Sequence, residues 1–432
     1  MLEYIPILVL VLSFLALLSI GTPVAWSIAI SSLLTMLVSI PVMPALTTVS
    51  QRIATGLDSF ALLAIPFFVL SGQLMSKGGI AHRLIAFAKT LVGSLPGGLA
   101  LINVVAAMLM GAIAGSAMAS ASAMGSILGP EMEKEGYSKE FGAAVNITSS
   151  TIGLVIPPSN ILIVYSLASG GVSIAALFLA GYIPGILTGL FLMIVASIWA
   201  KKHNYKLGKR STLKDVFKTF IIAIPSLLLL VIVIGGIITG VFTATEASAV
   251  AVLYTVILGF IYKEISFKKL PQILLDSTST TAIVMLLIGA SMSMSWVMSY
   301  ENLPQDISTT LLGISNNKVV ILLIINLLLL FVGIFMDMTP AVLIFTPIFL
   351  PIVTKLGLDP IHFGIIMVLN LCVGLCTPPV GSVLFVGVGI AKTTIEKVIK
   401  PLIPLFLAMI VALFLVTYFP QLSLWLPGLF DL

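Results

Sequence analysis

Apolar stretches long enough to enter or cross a bilayer follow one another along almost the whole chain. They lie at 4–20, 24–40, 59–75, 97–130, 141–178, 179–199, 219–242, 246–262, 280–298, 319–354, 361–391 and 401–420. A helix crosses the hydrocarbon with about 20 residues, and only helices or closed barrels satisfy every backbone polar group there. These runs are continuous rather than alternating, so they read as helices. Charge supports this. Asp, Glu, Lys and Arg make up 9% of the chain, against about 25% in a soluble domain, too little to cover a water-exposed surface of this size. The net charge of +5 does not point to nucleic acid, because the basic residues sit in short loops between apolar runs, where they set orientation. The run starting at Ile5 carries Glu3, lacks a basic leader region and passes straight into the next run from Val24, so it reads as a retained span. Cys372 and Cys376 both fall inside an apolar run; they read as core thiols rather than a disulfide framework.

Two runs are too long for a single span and carry a polar patch inside. In 97–130 the patch is GSAMASASA at 115–123; in 319–354 it is MDMTP at 336–340. Each reads as a re-entrant hairpin that turns at its polar tip. Loop charge tests this. The loop 201–218 is strongly basic and belongs in the cytoplasm. With both hairpins counted as re-entrant, all of the 21 basic residues except Arg52, Lys318 and Lys355 fall on that side, and the N-terminus falls in the periplasm.

A shift of 221 positions superposes two segments without a gap. Pro130 meets Pro351, Gly136 meets Gly357, Gly153-Leu154 meets Gly374-Leu375, Pro157-Pro158 meets Pro378-Pro379, and Ser116 meets Asp337. Loop charge places the two hairpins on opposite sides, so the halves are inverted. Inverted repeats with discontinuous helices are a recurring plan of secondary transporters, with sites at the midplane where the repeats meet.

The chemistry concentrates at the breaks and tips. Proline has no N–H to give the carbonyl one turn back. Pro157 and Pro158 are expected to free the carbonyls of Gly153 and Leu154, and Pro378 and Pro379 those of Gly374 and Leu375. Bare carbonyls in mid-membrane cost a few kcal/mol each unless a partner is found, and a cation is one such partner. The half-helix restarting beyond each break, after Ser159 and Asn160 in the first half, presents N–H groups and a positive dipole end to an anion. Ser116, Ser120 and Ser122 supply hydroxyls in the first tip, Asp337 and Thr339 oxygens in the second. Close packing of small residues is the plainer reading of the Ala/Ser patch. Helix capping is that of Asp337, which as an intramembrane carboxylate also suits a functional role. Neutral oxygens at both tips point to Na⁺ as coupling ion. Asp58 and Glu246 read as caps of the helices that follow them, and His82, His203 and His362 as surface residues. Among enzyme signatures, no GxxxxGK[ST], HExxH or GxSxG pattern is present, so the chain reads as a non-enzyme.

The segments PGGLALINVVAAMLMGAIAGSAMAS (96–120), VIPPSNILIVYS (155–166), GVFTATEASAVA (240–251), DMTPAVLIFTPIFLPI (337–352) and CTPPVG (376–381) resemble the large, DctM-like membrane subunit of tripartite ATP-independent periplasmic (TRAP) transporters. The resemblance runs through nearly the whole chain. It implies an elevator-type fold in the bacterial inner membrane, Na⁺-driven import of an organic acid (a C4-dicarboxylate, sialic acid or sugar acid), a separate four-helix small membrane subunit and a periplasmic substrate-binding protein. It implies ion sites at Ser116, Ser120, Gly153, Leu154, Pro157, Asp337, Thr339, Gly374, Leu375 and Thr377, and substrate contacts at Ser120, Ser122, Ser159, Asn160 and Thr377. A stand-alone Na⁺/carboxylate symporter of the same fold remains the alternative.

The expected architecture is thus an all-α polytopic membrane protein. N-terminal scaffold helices take 1–55. A first repeat at 56–200 holds hairpin 97–131 and broken helix 141–178. After the basic loop 201–218 come connecting scaffold helices at 219–279. A second repeat at 280–432 holds hairpin 319–355 and broken helix 361–391.

Overall fold

A computed structural model describes residues 5–208, 211–315 and 317–432, with the backbone alone for Ala81 and residues 111–114. Glu3, Lys209 and Arg210 lie outside the described residues. The described chain is helical throughout, and eight of its helices are long and apolar enough to cross a membrane.

An outer group comprises α1 (Ile5–Ser19), α2 (Val24–Ser39), α3 (Val42–Leu57), α4 (Ala64–Lys77), α11 (Leu213–Ile238), α12 (Ala244–Ile261) and α13 (Leu270–Tyr300), packed mainly on one another. Its corners are pinned by polar contacts. Lys77 pairs with Asp276, Ser39 bonds Glu301, and the Thr245 hydroxyl donates to the Phe60 carbonyl at 2.9 Å. Amphipathic α5 (Ile80–Val92) and α14 (Leu303–Ile314) lead from the outer group to the two hairpins.

The inner group begins with hairpin α6 (Gly98–Ala114) and α7 (Ala117–Lys134). The broken helix α8 (Lys139–Ile152) and α9 (Asn160–Ala168) follows, then the long α10 (Ile174–Lys202). The plan repeats with α15 (Lys318–Phe335), α16 (Met338–Lys355), α17 (Pro360–Gly374), α18 (Ser382–Ala391) and α19 (Ile395–Tyr418), closed by α20 (Gln421–Gly428). The hairpin turns occupy the first residues of each polar patch, Gly115-Ser116 and Met336-Asp337. In the first half the broken helix ends at Ala168 rather than at 178, because Ser173 caps a new helix by accepting the Ala176 N–H.

The 221-residue register is visible in the helix bounds. Both ends of α7 and of α16 are related by it, as are the starts of α8 and α17 and of α10 and α19. In the outer group the starts of α2 and α12, Val24 and Ala244, lie one residue off this register. The halves interlock. Each hairpin's second helix packs on the half-helix of the other repeat, α7 on α18 and α16 on α9. At the crossing the Cys372 thiol meets the carbonyl of Thr151, its own repeat mate, at 3.1 Å, so the pseudo-twofold axis passes between them. Both cysteines are free and buried.

Buried amides lash each hairpin to its broken helix at matched levels. In the first half the Ser149 hydroxyl donates to Asn103 on α6. In the second, Asn370, the mate of Ser149, donates to both the carbonyl and the side-chain oxygen of Asn326 on α15, at 2.9 and 2.7 Å. In an apolar surround such bonds hold segments that packing alone would let slide.

Of the sequence expectations outside the breaks, Glu246 does cap, in a reciprocal box with Thr243, but two change. Asp58 closes α3 instead, with its backbone N–H on the Thr55 carbonyl, and does not cap the helix that follows. His362 is fully buried, within hydrogen-bond reach of the Ser423 hydroxyl and the Thr417 carbonyl, because α20 folds back over the start of α17.

Candidate functional site

The hairpin tips and helix breaks meet at a cavity of about 310 Å³. Its outer wall is formed by α4, with Ile65, Val69 and Gln73, and α13, with Thr280, Ile283, Val284 and Leu287. The inner wall contains the first turns of four helices: Ala117 to Ala119 of α7, Asn160 and Ile161 of α9, Met338 and Thr339 of α16, and Ser382 and Val383 of α18. Leu154 and Leu375, from the two breaks, complete it.

Local chemistry explains how each tip is built. Gly115 turns with φ +61°, and a β-carbon there would lie 2.4 Å from the Asn160 amide nitrogen. Only glycine provides this conformation and this clearance together. Asn160 is thereby held against the first tip. Ser116 caps α7 by accepting the Ala119 N–H at 3.3 Å. Asp337 caps α16 through one carboxylate oxygen, which accepts the Met338 N–H at 2.9 Å. Asp337 lines the cavity and is solvent-accessible there.

The breaks are tighter than the proline rule alone implies. Both Pro–Pro peptides are cis. The Ser159 hydroxyl turns back to donate to the Leu154 carbonyl, and the Thr377 N–H donates to the Gly374 carbonyl at 2.9 Å. Two of the four carbonyls expected to be bare are therefore satisfied within the break. Among the described residues no hydrogen bond reaches the carbonyls of Gly153 or Leu375. Because Ser159 bonds backward, α9 starts without a side-chain cap, and α18 does too, behind Gly381. The half-helices thus offer uncapped N–H groups, whereas the hairpin helices are capped by Ser116 and Asp337.

Of the residues singled out in the sequence, Ser116, Leu154, Asn160, Asp337, Thr339 and Leu375 line this cavity. Gly153, Pro157, Ser159 and Gly374 are buried in or beside the breaks. The Thr377 hydroxyl donates to the Val373 carbonyl at 2.8 Å. Ser120 is buried with an unpartnered hydroxyl, and Ser122 lies exposed on α7 away from the cavity. The sequence reading missed Gln73, Thr280 and Ser382. Gln73 is a polar residue within an apolar run, and Ser382 begins the helix after a break; both signals were legible. It also missed Gly181, Gly185 and Gly189 on α10. A β-carbon on the first two would strike Val155 and Ile156 of the first break, at 2.2 and 2.4 Å. Gly181 lets the break backbone lie directly on α10, Gly185 admits the Ile156 side chain and Gly189 makes room for Met108 of α6.

An interlocked helical membrane fold, with two hairpin tips and two broken helices around one cavity, defines a transporter architecture. The overall fold is similar to that of a solved structure, the YdaH transporter of Alcanivorax borkumensis, with a TM-score of 0.65 at 13% identity over 87% of this chain and 88% of that one. The family model described as the tripartite ATP-independent periplasmic transporter, DctM component, matches residues 11–422. This chain belongs to that family and is an integral membrane protein of the TRAP large-permease type. It is 58% identical to YgiK of Salmonella typhimurium over 99% of both chains. It is 40% identical to the isethionate TRAP transporter permease protein DctMQ of Oleidesulfovibrio alaskensis, over 99% of this chain and 67% of that protein. It is 36% identical to the C4-dicarboxylate TRAP transporter large permease protein DctM of Rhodobacter capsulatus, over 96% and 97%.

Proposed function

We propose that this permease imports a small organic acid, coupled to Na⁺, by carrying the cavity across the membrane on the inner group while the outer group stays fixed. The observation that carries the reading is the convergence of four helix N-termini on one cavity that no lysine or arginine lines. Each N-terminus presents about half a positive charge. The uncapped starts of α9 and α18 have N–H groups to give to a carboxylate or other oxyanion. The relatives' names, isethionate in one and C4-dicarboxylate in another, are of this chemical class. Na⁺ is assigned to the opposite polarity: the unpaired carbonyls of Gly153 and Leu375, helped by the oxygens of Ser116, Asp337 and Thr339. An ion there offsets the Asp337 charge that would otherwise repel the anion, so ion and substrate favour each other's binding.

A periplasmic binding protein delivers the acid and a small four-helix membrane subunit completes the permease. In the cell this chain lies in the inner membrane with its N-terminus in the periplasm. The test is uptake into proteoliposomes holding this chain with its small subunit, supplied with loaded binding protein. Uptake should require an inward Na⁺ gradient and fall sharply in Asn160→Leu. Uptake indifferent to Na⁺ refutes the coupling, and uptake by this chain alone refutes the tripartite assembly.

A further inference from the structure

The two halves differ at one crevice, and the difference makes a second cavity. It measures about 340 Å³ and lies between α7, α8 and α18, away from the central site. It opens beside the basic loop 201–218, for Ser138 on its rim donates its N–H to the Tyr205 hydroxyl of that loop. The equivalent crevice of the second half lies between α16, α17 and α9, and it is filled. Tyr165 and Phe363 are fully buried there, Tyr165 against Gly364, and the Thr346 hydroxyl donates to Met367 at 3.3 Å. In the first half the mate of Phe363 is Gly142, that of Thr346 is Gly125 and that of Tyr165 is Val386. Bulk has been removed at each of these positions.

What replaces the bulk is polar. The mate of Met367 is Asn146, 3% exposed, which lines the cavity and has a side-chain oxygen without a partner. The mate of Ile324 is Asn103, also in the wall. At the mouth stands Lys392, which makes no ion pair among the described residues, while Lys139 is held by Glu133 at 3.4 Å. A crevice that is plugged in one half is therefore open in the other, where it is lined by two amides, the paired Lys139 and Glu133, and the unpaired Lys392. A buried orphan amide oxygen is costly to keep, and the space is that of a small-molecule pocket.

We propose that this cavity binds a small hydroxylated organic anion from the face bearing the basic loops. Lys392 meets the charge, and Asn146 and Asn103 meet the polar body. The volume exceeds what an inorganic oxyanion would fill. The site contains neither helix break nor hairpin tip, so binding is independent of Na⁺.

The test is isothermal titration of the purified full permease with malate, without Na⁺. One site is expected. Lys392→Asn, which retains a residue tolerant of the left-handed backbone at φ 50°, should weaken it at least tenfold. Gly142→Leu should abolish it; a β-carbon there meets only Met132, at 3.6 Å, so the fold is retained and the space filled. Asn160→Leu, in the central cavity, should leave it unchanged, which separates this site from the transport site. Absence of Na⁺-independent malate binding overturns the proposal, as does binding unaltered by Lys392→Asn and Gly142→Leu, or phosphate binding as tightly as malate.

Discussion

At the second break a close backbone approach joins Gly374, the last residue of α17, to Gly333 on α15. A β-carbon on Gly374 would lie 2.7 Å from the Gly333 α-carbon, 2.9 Å from its carbonyl carbon and 3.2 Å from its carbonyl oxygen. All three are main-chain atoms with no rotamer to yield. Carbon atoms prefer about 3.5–4.0 Å, so Gly374→Ala must push α15 away by about 1 Å. Forced overpacking of this kind costs about 1–3 kcal/mol. The reverse change is gentler. A β-carbon on Gly333 meets the Gly374 α-carbon at 3.0 Å, the flexible end of Leu371 at 3.4 Å and the Gly374 carbonyl carbon at an ordinary 3.7 Å. Gly333 also sits inside a helix, where alanine gains about 0.5–1 kcal/mol over glycine. Gly333→Ala should therefore be close to neutral, and Gly374→Ala destabilising. The displaced helix ends two residues before Asp337, so Gly374→Ala should also weaken the apparent Na⁺ affinity of transport. Thermal unfolding in detergent and the Na⁺ dependence of uptake measure both effects. Equal melting temperatures for the two variants, or a greater loss in Gly333→Ala, would falsify this account of the α15–α17 contact.

Replacing Asp337 separates capping from charge. Asp337→Asn keeps an oxygen for the Met338 N–H and should preserve stability while losing Na⁺ stimulation; Asp337→Ala should lose both, with about 0.5–2 kcal/mol from the cap. Full Na⁺ dependence in the Asn variant would leave capping as the only role. Ser159→Ala removes the donor to the Leu154 carbonyl and should cost about 1–3 kcal/mol, read as a lower melting temperature, whereas a change on the exposed Ser122 should be silent. Asn370→Leu strands the Asn326 side-chain oxygen and should destabilise by a similar amount; an unchanged melting temperature would mean that the hairpin is held by apolar packing alone. Thr377→Ala loses the bond to the Val373 carbonyl and should reduce Na⁺-driven uptake with the protein still inserted, as judged by its recovery from membranes.

The parts of this molecule that were legible in its sequence are those whose cause is local. A Pro–Pro pair inside an apolar run must end a helix, and a polar patch inside an overlong run must turn it. Hence Asp337 and Asn160 could be placed at a tip and a break before any packing was known. What was not legible depends on where a chain end or side chain turns once packed. Ser159 bonds backward to Leu154 instead of capping α9, so the count of bare carbonyls fell. His362 looked superficial until α20 covered it. Thr280 comes from a helix that carries no break or tip, and although Gln73 stood out as polar within an apolar run, only the assembled fold places either of them in the cavity wall with Asp337.

The contact between Thr151 and Cys372 has a wider consequence. Two separate identical subunits related by a twofold axis form an isologous interface, in which a residue near the axis must be complementary to its own copy. Joining the halves in one chain lifts that demand, and a threonine carbonyl can then face the thiol of its repeat mate while the threonine hydroxyl lies beside Cys376. The same freedom allows one crevice to be plugged by Tyr165 while its counterpart stays open. A symmetric scaffold can thereby give two faces of the membrane different chemistries.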